Sequence, residues 1–421
     1  MPMEPRDLRE SNEFLNILLE NIPSLVLLAD GEMQVREVND ASRVLFGLSR
    51  EEMLGKRCGN ALHCVFAETE DRLCGETSNC SQCPLRQSAL ATMLKKVPTD
   101  REKLIHTFFV DGLPEERHFE FSTRYVRYQG QEMVLLILYD VTTLERQKQE
   151  LIVQQDKINE SLKAAGCIQH ALLPRRLPEL ENVRFAWRFK PCDAVGGDIL
   201  NIVPLDESHI GLYLLDVAGH DFSSSMISVL AYQLMNPLTG VLLDHGISPP
   251  RIREPEEVLN ILNREFPFMR FERHFTVVYA VLNTASGEMR YSNAAQCHPI
   301  VIPHAGELRP LTVSGTIIGL QGIPFGQENV LLGPGDKVVL LSDGVEEAPD
   351  PSGGLFGEER LHDTLRSLRH APPEELAQGL SSVVTDFVGD RKIPDDISIL
   401  VLEYGGSGAD GNEEDGPGMR T

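Results

Sequence analysis

The sequence predicts an α+β protein in which two mixed modules flank a long helix. Three observations carry this. A hairpin signal opens the first module, a stretch almost free of Gly and Pro carries a heptad pattern, and strands then alternate with helices to the last motif. At 421 residues the chain has room for two or three domains, and its 42% hydrophobic and 24% charged residues are those of a globular protein.

The first module, residues 11–143, opens with a helix-like "EFLNILLENI". "SLVLLAD-GEMQVREVN" reads as a hairpin across Asp30-Gly31, a strong turn pair. "HFEFSTRYVRY" and "QEMVLLILYDVT" give two more strands, joined near Gln129-Gly130. This pattern fits a small sensor module.

From Asp140 to about Leu172 there is no Gly before Gly166 and no Pro before Pro174. Val141, Leu144, Lys148, Leu151, Gln155, Ile158, Leu162 and Ala165 fall at alternating three- and four-residue steps, the seam of a coiled coil. The spacing predicts a helical linker over 144–170 and a homodimer contact; a single helix packed on a domain is the alternative. Lys148 and Gln155 weaken the seam, which suits a switch better than a strut.

In residues 171–404, "HIGLYLLD", "FTVVYAVLN", "GEMRYSN", "DKVVLLSDG" and "ISILVLEY" are strand-like, while "SSSMISVLAYQLM", "PEEVLNILNREF" and "PPEELAQGLSSVVTDFV" are helix-like. In the last, Leu376, Leu380, Val383, Val384 and Phe387 predict one apolar stripe, so that helix lies on a sheet. The Gly-rich acidic stretch 405–421 predicts disorder.

A net charge of −24 and pI near 4.9 argue against duplex nucleic acid and anionic membranes as partners. No apolar run reaches the roughly 18–20 residues of a spanning helix, and the N-terminus lacks a signal-peptide pattern, so a cytoplasmic protein is expected. Eight cysteines are then expected to be free, metal-bound or redox-active rather than disulfide-bonded.

Chemistry concentrates in four acids. Asp198 follows Gly196-Gly197, Asp216 ends "HIGLYLL", Asp343 ends "DKVVLLS", and Asp395 precedes "ISILVLEY". If the last strand runs antiparallel to the Asp343 strand, the acids converge at one sheet edge. Carboxylates so close cannot all stay ionised unless a cation neutralises them. Oxygen donors of this kind suit Mg2+ or Mn2+, and two such ions could activate a water to attack a phosphate ester. Taken singly, each acid also reads as a turn or loop cap.

These segments resemble the bacterial branch of the metal-dependent, type 2C protein phosphatases, typified by the stage II sporulation and stress-response phosphatases. The resemblance covers about residues 160–404 and rests on "IQHALLP", "AVGGD", "LLDVAGHD", "FTVVYAVLN", "YSNAA", "LGPGDKVVLLSDGVEEA", "LFGEERL" and "PDDISILVLEY", in the family's order. It implies an αββα β-sandwich, two Mn2+ or Mg2+ ions, and hydrolysis of phosphoserine or phosphothreonine on a protein by a metal-activated water. By position, Asp198, Asp216, Asp343 and Asp395 would be catalytic ligands, helped by the backbone carbonyl of Val217. Asp395 rather than adjacent Asp396 is assigned as the ligand.

The sequence departs from the family at Asn201, where many relatives carry Asp, at Asp221 in "GHD", at Ser223 to Ser225, and at Gln296 in "NAAQCHP". His220 reads as structural. None of these removes one of the four acids.

The other unusual stretch is "HCVFAETEDRLCGETSNCSQC". Cys64, Cys74, Cys80 and Cys83 have the spacing C-x9-C-x5-C-x2-C, with Cys58 and His63 nearby, which suits Zn2+ or an iron–sulfur cluster as well as simple burial. Cys167, Cys192 and Cys297 read as packing residues. The surrounding segment resembles a Per-Arnt-Sim (PAS) sensor domain in "LLENIPSLVLLAD", "VREVNDASRVLFGLSREEMLGK" and "LILYDVTTLE".

The expectation is therefore a sensor, a linker and a phosphatase. By analogy with the related stress and sporulation systems, the substrate would be a phosphorylated anti-anti-sigma protein of the sulfate-transporter and anti-sigma-antagonist (STAS) type. Two alternatives share these residues: a phosphoprotein-binding adaptor without turnover, and a redox or metal sensor with a minor phosphatase output.

Overall fold

The computed structural model describes residues 21–406 except Gln129, and the chain divides into two compact units at Asp156/Lys157. The helix expected over 13–22 and the tail 405–421 lie, but for their edge residues, outside the described part, as does Gln129 of the expected turn.

The N-terminal unit is built on five antiparallel strands: β1 (Leu25–Ala29), β2 (Val35–Val38), β3 (Thr99–Val110), β4 (Leu113–Tyr128) and β5 (Gln131–Asp140), in the order β2-β1-β5-β4-β3. β1 and β2 form the expected hairpin. Asp30 shapes its turn, its Oδ1 accepting from the backbone N–H groups of Glu32 and Gln34. Leu25, Leu27 and Ala29 alternate into a core shared with Leu136, Leu138, Phe108, Phe119 and Phe121. The helix Pro84–Lys95 adds Leu85 and Ala89. β3 carries no clear strand pattern in the sequence because it is an edge, with only Leu104 and Phe108 buried.

One continuous helix, Thr142–His170, occupies the predicted linker, and Leu144, Leu151 and Ile158 on its seam are exposed. Among the described residues, no helix is long and apolar enough to cross a membrane.

The C-terminal unit stacks two five-stranded antiparallel sheets. Its strands are β6 (Val183–Lys190), β7 (Ile199–Pro204), β8 (His209–Val217), a short ribbon of β9 (Leu243–Asp244) with β10 (Arg251–Ile252), β11 (Phe275–Asn283), β12 (Glu288–Ala294), β13 (Ile300–Ile302), β14 (Arg309–Pro310), β15 (Glu328–Leu331), β16 (Lys337–Leu341) and β17 (Ile397–Tyr404). One sheet runs β15-β12-β11-β8-β7 and the other β14-β13-β16-β17-β6.

β17 shows how the layers assemble. Leu400, Leu402 and Tyr404 point into the core between the sheets, while Ile397, Ile399 and Val401 pack on the helices Gly357–Ser367 and Pro373–Val388. Helices Phe222–Leu234 and Pro255–Glu265 cover the other sheet, completing the αββα sandwich.

Two details correct the sequence reading. Val383 is 42% exposed, whereas Leu376, Leu380 and Val384 are fully buried, so the stripe in Pro373–Val388 is narrower than expected. Val383 lies about 100° around the helix from Val384, enough to turn it to solvent. Cys167 is exposed rather than packed.

Candidate metal centre

Register brings the four acids together. In the antiparallel pair β7 and β8, Ile199 faces Leu215, which sets Asp198 at the start of one strand beside Asp216 near the end of the other. In β16 and β17, Leu341 faces Ile399, which sets Asp343 beside the Asp395-Asp396 approach to β17. The two pairs come from different sheets and meet at one edge of the sandwich. Ser398 ties them, its Oγ donating to Asp198 Oδ2 at 2.6 Å. The backbone N–H of Asp198 in turn donates to Asp396 Oδ2 at 3.2 Å.

Charge is costly here. Asp198 is 1% exposed, and burial, then Asp216 and Asp396, push its carboxyl well above the usual range. Burial and the charges of Asp343 and Asp395 push Asp216 up to about 8. Asp343 is also raised, by burial first and then by Asp395 and Glu347. Asp198 Oδ1 and Asp343 Oδ1 are buried with no hydrogen-bond partner. Unpartnered carboxylate oxygens whose charges repel one another are a donor set that fits a hard divalent cation.

The glycines explain how backbone reaches the acids. A Cβ on Gly197 would stand 2.5 Å from the Val217 carbonyl oxygen and 3.3 Å from Asp216 Oδ1. At Gly196 it would collide with the Asp396 carboxylate, and at Gly344 with the Asp396 carbonyl. Each glycine is thus fixed by a neighbour's approach rather than by a left-handed backbone.

A tighter grouping, Cys192, Asp395 and Asp396, also places its ligand atoms within 4.8 Å of one another. Its chemistry is that of a brace. Asp396 is 1% exposed and accepts from the backbone N–H groups of Cys192, at 2.8 Å, and Asp198. Burial and the charge of Asp396 push the Cys192 thiol up to about 12, so it stays protonated. Asp395 is half-buried and acts electrostatically on both Asp216 and Asp343.

Several residues matter that the sequence did not single out. Gln169, near the end of the linker helix, is 4% exposed. Its Nε2 donates to the Gly196 carbonyl at 2.8 Å and its Oε1 accepts from the Gly196 N–H at 3.0 Å, a two-way clamp on the Gly-Gly-Asp turn. Its place in "IQHALLP", one residue before the helix ends at His170, was the available signal. Asp396 was read in the sequence only as the neighbour passed over for Asp395, and Ser398 only as part of the last strand.

The departures from the family have local uses. Gln296 accepts from Thr276 Oγ1 on β11 and donates to the Leu341 carbonyl on β16 at 3.1 Å, joining the sheets. The Asn201 amide lies 3.5 Å from the buried Tyr213 hydroxyl, not among the acids. Asp221 caps the helix Phe222–Leu234 by accepting from the Ser224 N–H at 2.9 Å, and pairs with Arg273 at 2.6 Å. His220 is exposed beside it. Cys297 lies near the acids, and burial followed by the charges of Glu346 and Asp343 pushes its thiol up.

In the N-terminal unit, Cys64, Cys74, Cys80 and Cys83 line one cavity together with Cys58 and His106; His63 is not part of its lining.

Residues 206–405 match the family described as stage II sporulation protein E, and residues 19–146 match the PAS fold. The chain thus joins a PAS fold to a type 2C phosphatase domain of the sporulation-protein-E kind. It is 23% identical over 281 residues to protein IcfG of Synechocystis, covering 62% of this chain and 44% of that one. To the phosphoserine phosphatase RsbP of Bacillus subtilis it is 24% identical over 253 residues, 59% of each chain. The chain thus spans about half the length of these curated relatives. The SiaA type 2C phosphatase domain of Pseudomonas aeruginosa shares the fold, with a TM-score of 0.52 and 24% identity over 61% of this chain and 99% of that one.

Proposed function

We propose that the protein is a sensor-regulated serine/threonine phosphatase that hydrolyses phosphoserine or phosphothreonine on a protein. The observation that carries this is the gathering of Asp198, Asp216, Asp343 and Asp395 from the ends of four strands, with buried carboxylate oxygens left unpartnered. These residues and the Val217 carbonyl would hold two Mn2+ or Mg2+ ions. Such ions lower the pKa of a coordinated water and neutralise phosphoryl oxygens.

The protein's own groups do the positioning. Ser398 fixes the orientation of the Asp198 carboxylate, and Asp396 holds the β6–β7 connection by accepting from the backbone N–H groups of Cys192 and Asp198. Gly197 lets the Val217 carbonyl face the same space.

The regulatory reading assigns residues 11–143 to the sensor, 144–170 to the linker and 171–404 to the phosphatase. A change in the linker would reach the centre through Gln169 and Gly196, and Leu144, Leu151 and Ile158 would pair with a second copy. The substrate would be a phosphorylated anti-anti-sigma protein of the STAS type; similarity to RsbP, which is named a phosphoserine phosphatase, supports phosphoserine as the group hydrolysed. In the sensor, Zn2+ or an iron–sulfur cluster would occupy the cysteine-lined cavity.

Hydrolysis of p-nitrophenyl phosphate with Mn2+ tests the enzyme reading. Wild type should turn over and Asp343→Ala should not; equal rates for the two proteins would sink it.

A further inference from the structure

We propose that Cys64, Cys74, Cys80 and Cys83 hold an iron–sulfur cluster rather than a single zinc ion. All four are free thiols and converge on one cavity of about 40 Å3. About 10–15 Å3 on this scale suffices for one water, so the space suits a group of several atoms.

The spacing of the sulfurs separates the two metals. Four thiolates on one Zn2+ at about 2.3 Å stand about 3.8 Å apart. Among the described residues, no three of these sulfurs lie within 4.8 Å of one another. They surround the cavity instead of closing on a point, which is the arrangement a multi-iron core requires.

The surroundings are organised for sulfur ligands. The Gly75 N–H donates to Cys80 Sγ at 2.9 Å, and the Thr77 hydroxyl lies 2.9 Å from the same sulfur. His106 Nε2 lies 2.9 Å from Cys64 Sγ. Polar partners of this kind orient ligand sulfurs and tune a cluster. Leu62, Leu85 and Phe108 form an apolar wall that limits water. Gly59 leaves the room that Cys74 needs, since a Cβ there would stand 2.8 Å from its sulfur. Cys58, by contrast, belongs to the apolar core.

The test uses the full chain, purified without oxygen and reconstituted with ferrous iron and sulfide. Bound iron and acid-labile sulfide are counted, and thiolate-to-iron absorption and the electron paramagnetic resonance signal after dithionite are recorded. Iron and sulfide in equal amounts are expected in wild type and in Cys167→Ser, whose thiol is exposed elsewhere, and both should be lost in Cys74→Ser and Cys83→Ser. Circular dichroism identifies a serine variant that has merely unfolded, and the wild-type count decides without it. Zinc bound without sulfide, disulfides in place of iron, or undiminished iron in folded serine variants would overturn the proposal. Because no turnover is measured, the result stands apart from the phosphatase reading.

Discussion

The acidic centre and the cysteine cavity gather ligands in opposite ways. The acids lie up to about two hundred residues apart and meet because strand register leaves no other place for them. The cysteines lie within twenty residues and meet through a loop stitched by side chains. Asn60 accepts from the Cys74 N–H at 2.7 Å and donates to the Arg72 carbonyl at 3.1 Å, and Arg57 pairs with Glu76 at 3.0 Å. A site set by register is as stiff as its sheets. One set by a loop is as stiff as its few polar ties.

The largest effect expected on this comparison is at Asp198. Asp198→Asn should cut Mn2+-dependent turnover by more than the about 10²-fold that loss of an outer-shell partner costs. Melting without metal should be unharmed, because burial already favours the uncharged form of this carboxyl, which the neutral amide resembles. Calorimetry and steady-state kinetics on the same preparation check both.

Gln169→Ala comes next. It strands the N–H and C=O of Gly196, a stability cost of about 1–3 kcal/mol per buried group, and should lower turnover about 10- to 100-fold. Turnover unchanged in a folded variant would mean the clamp only packs the helix.

The thiol side is tested by Asn60→Ala. Hydrogen exchange should quicken around Arg72 to Gly75 while exchange in the strands flanking Asp198 stays as it was. Equal quickening in both places would erase the contrast between the sites.

A pH series follows. The Asp216 carboxyl titrates at about 8 in the fold against about 3.9 unfolded. A raised carboxyl contributes stability that is fully present below about pH 4 and is lost as pH rises through about 8. The melting temperature of the metal-free protein should therefore fall across that window, and Mn2+ should flatten the fall.

The smallest effect is at Asn201. Its amide faces Tyr213, so Asn201→Asp should leave turnover within about twofold, the range of a substitution outside the site's contacts. A large gain in Mn2+ affinity, measured by titration, would show that this position reaches the ions.

Asp216, Asp343 and Asp395 stood out because each adjoins a strand whose period shows in the sequence, Asp198 only through its Gly-Gly turn, and the linker helix through heptads that need no tertiary information. β6 and β7, edge strands of the two sheets, were missed. So were the three-residue β13 and the four-residue β15, exposed at all but Val330, both too short for a clear period. The roles of Gln169 and Ser398 are pairings across 27 and 200 positions, and local spacing holds no trace of those.

Asp396 and Ser398 sit on the last strand of the second unit, yet they seat the turn at Gly196 to Asp198 near its beginning. During synthesis the first Asp must therefore wait, unseated, until β17 has emerged and docked. In a chain assembled in this order the turn at Gly196 to Asp198 gains its hydrogen-bond partners only when the closing strand docks.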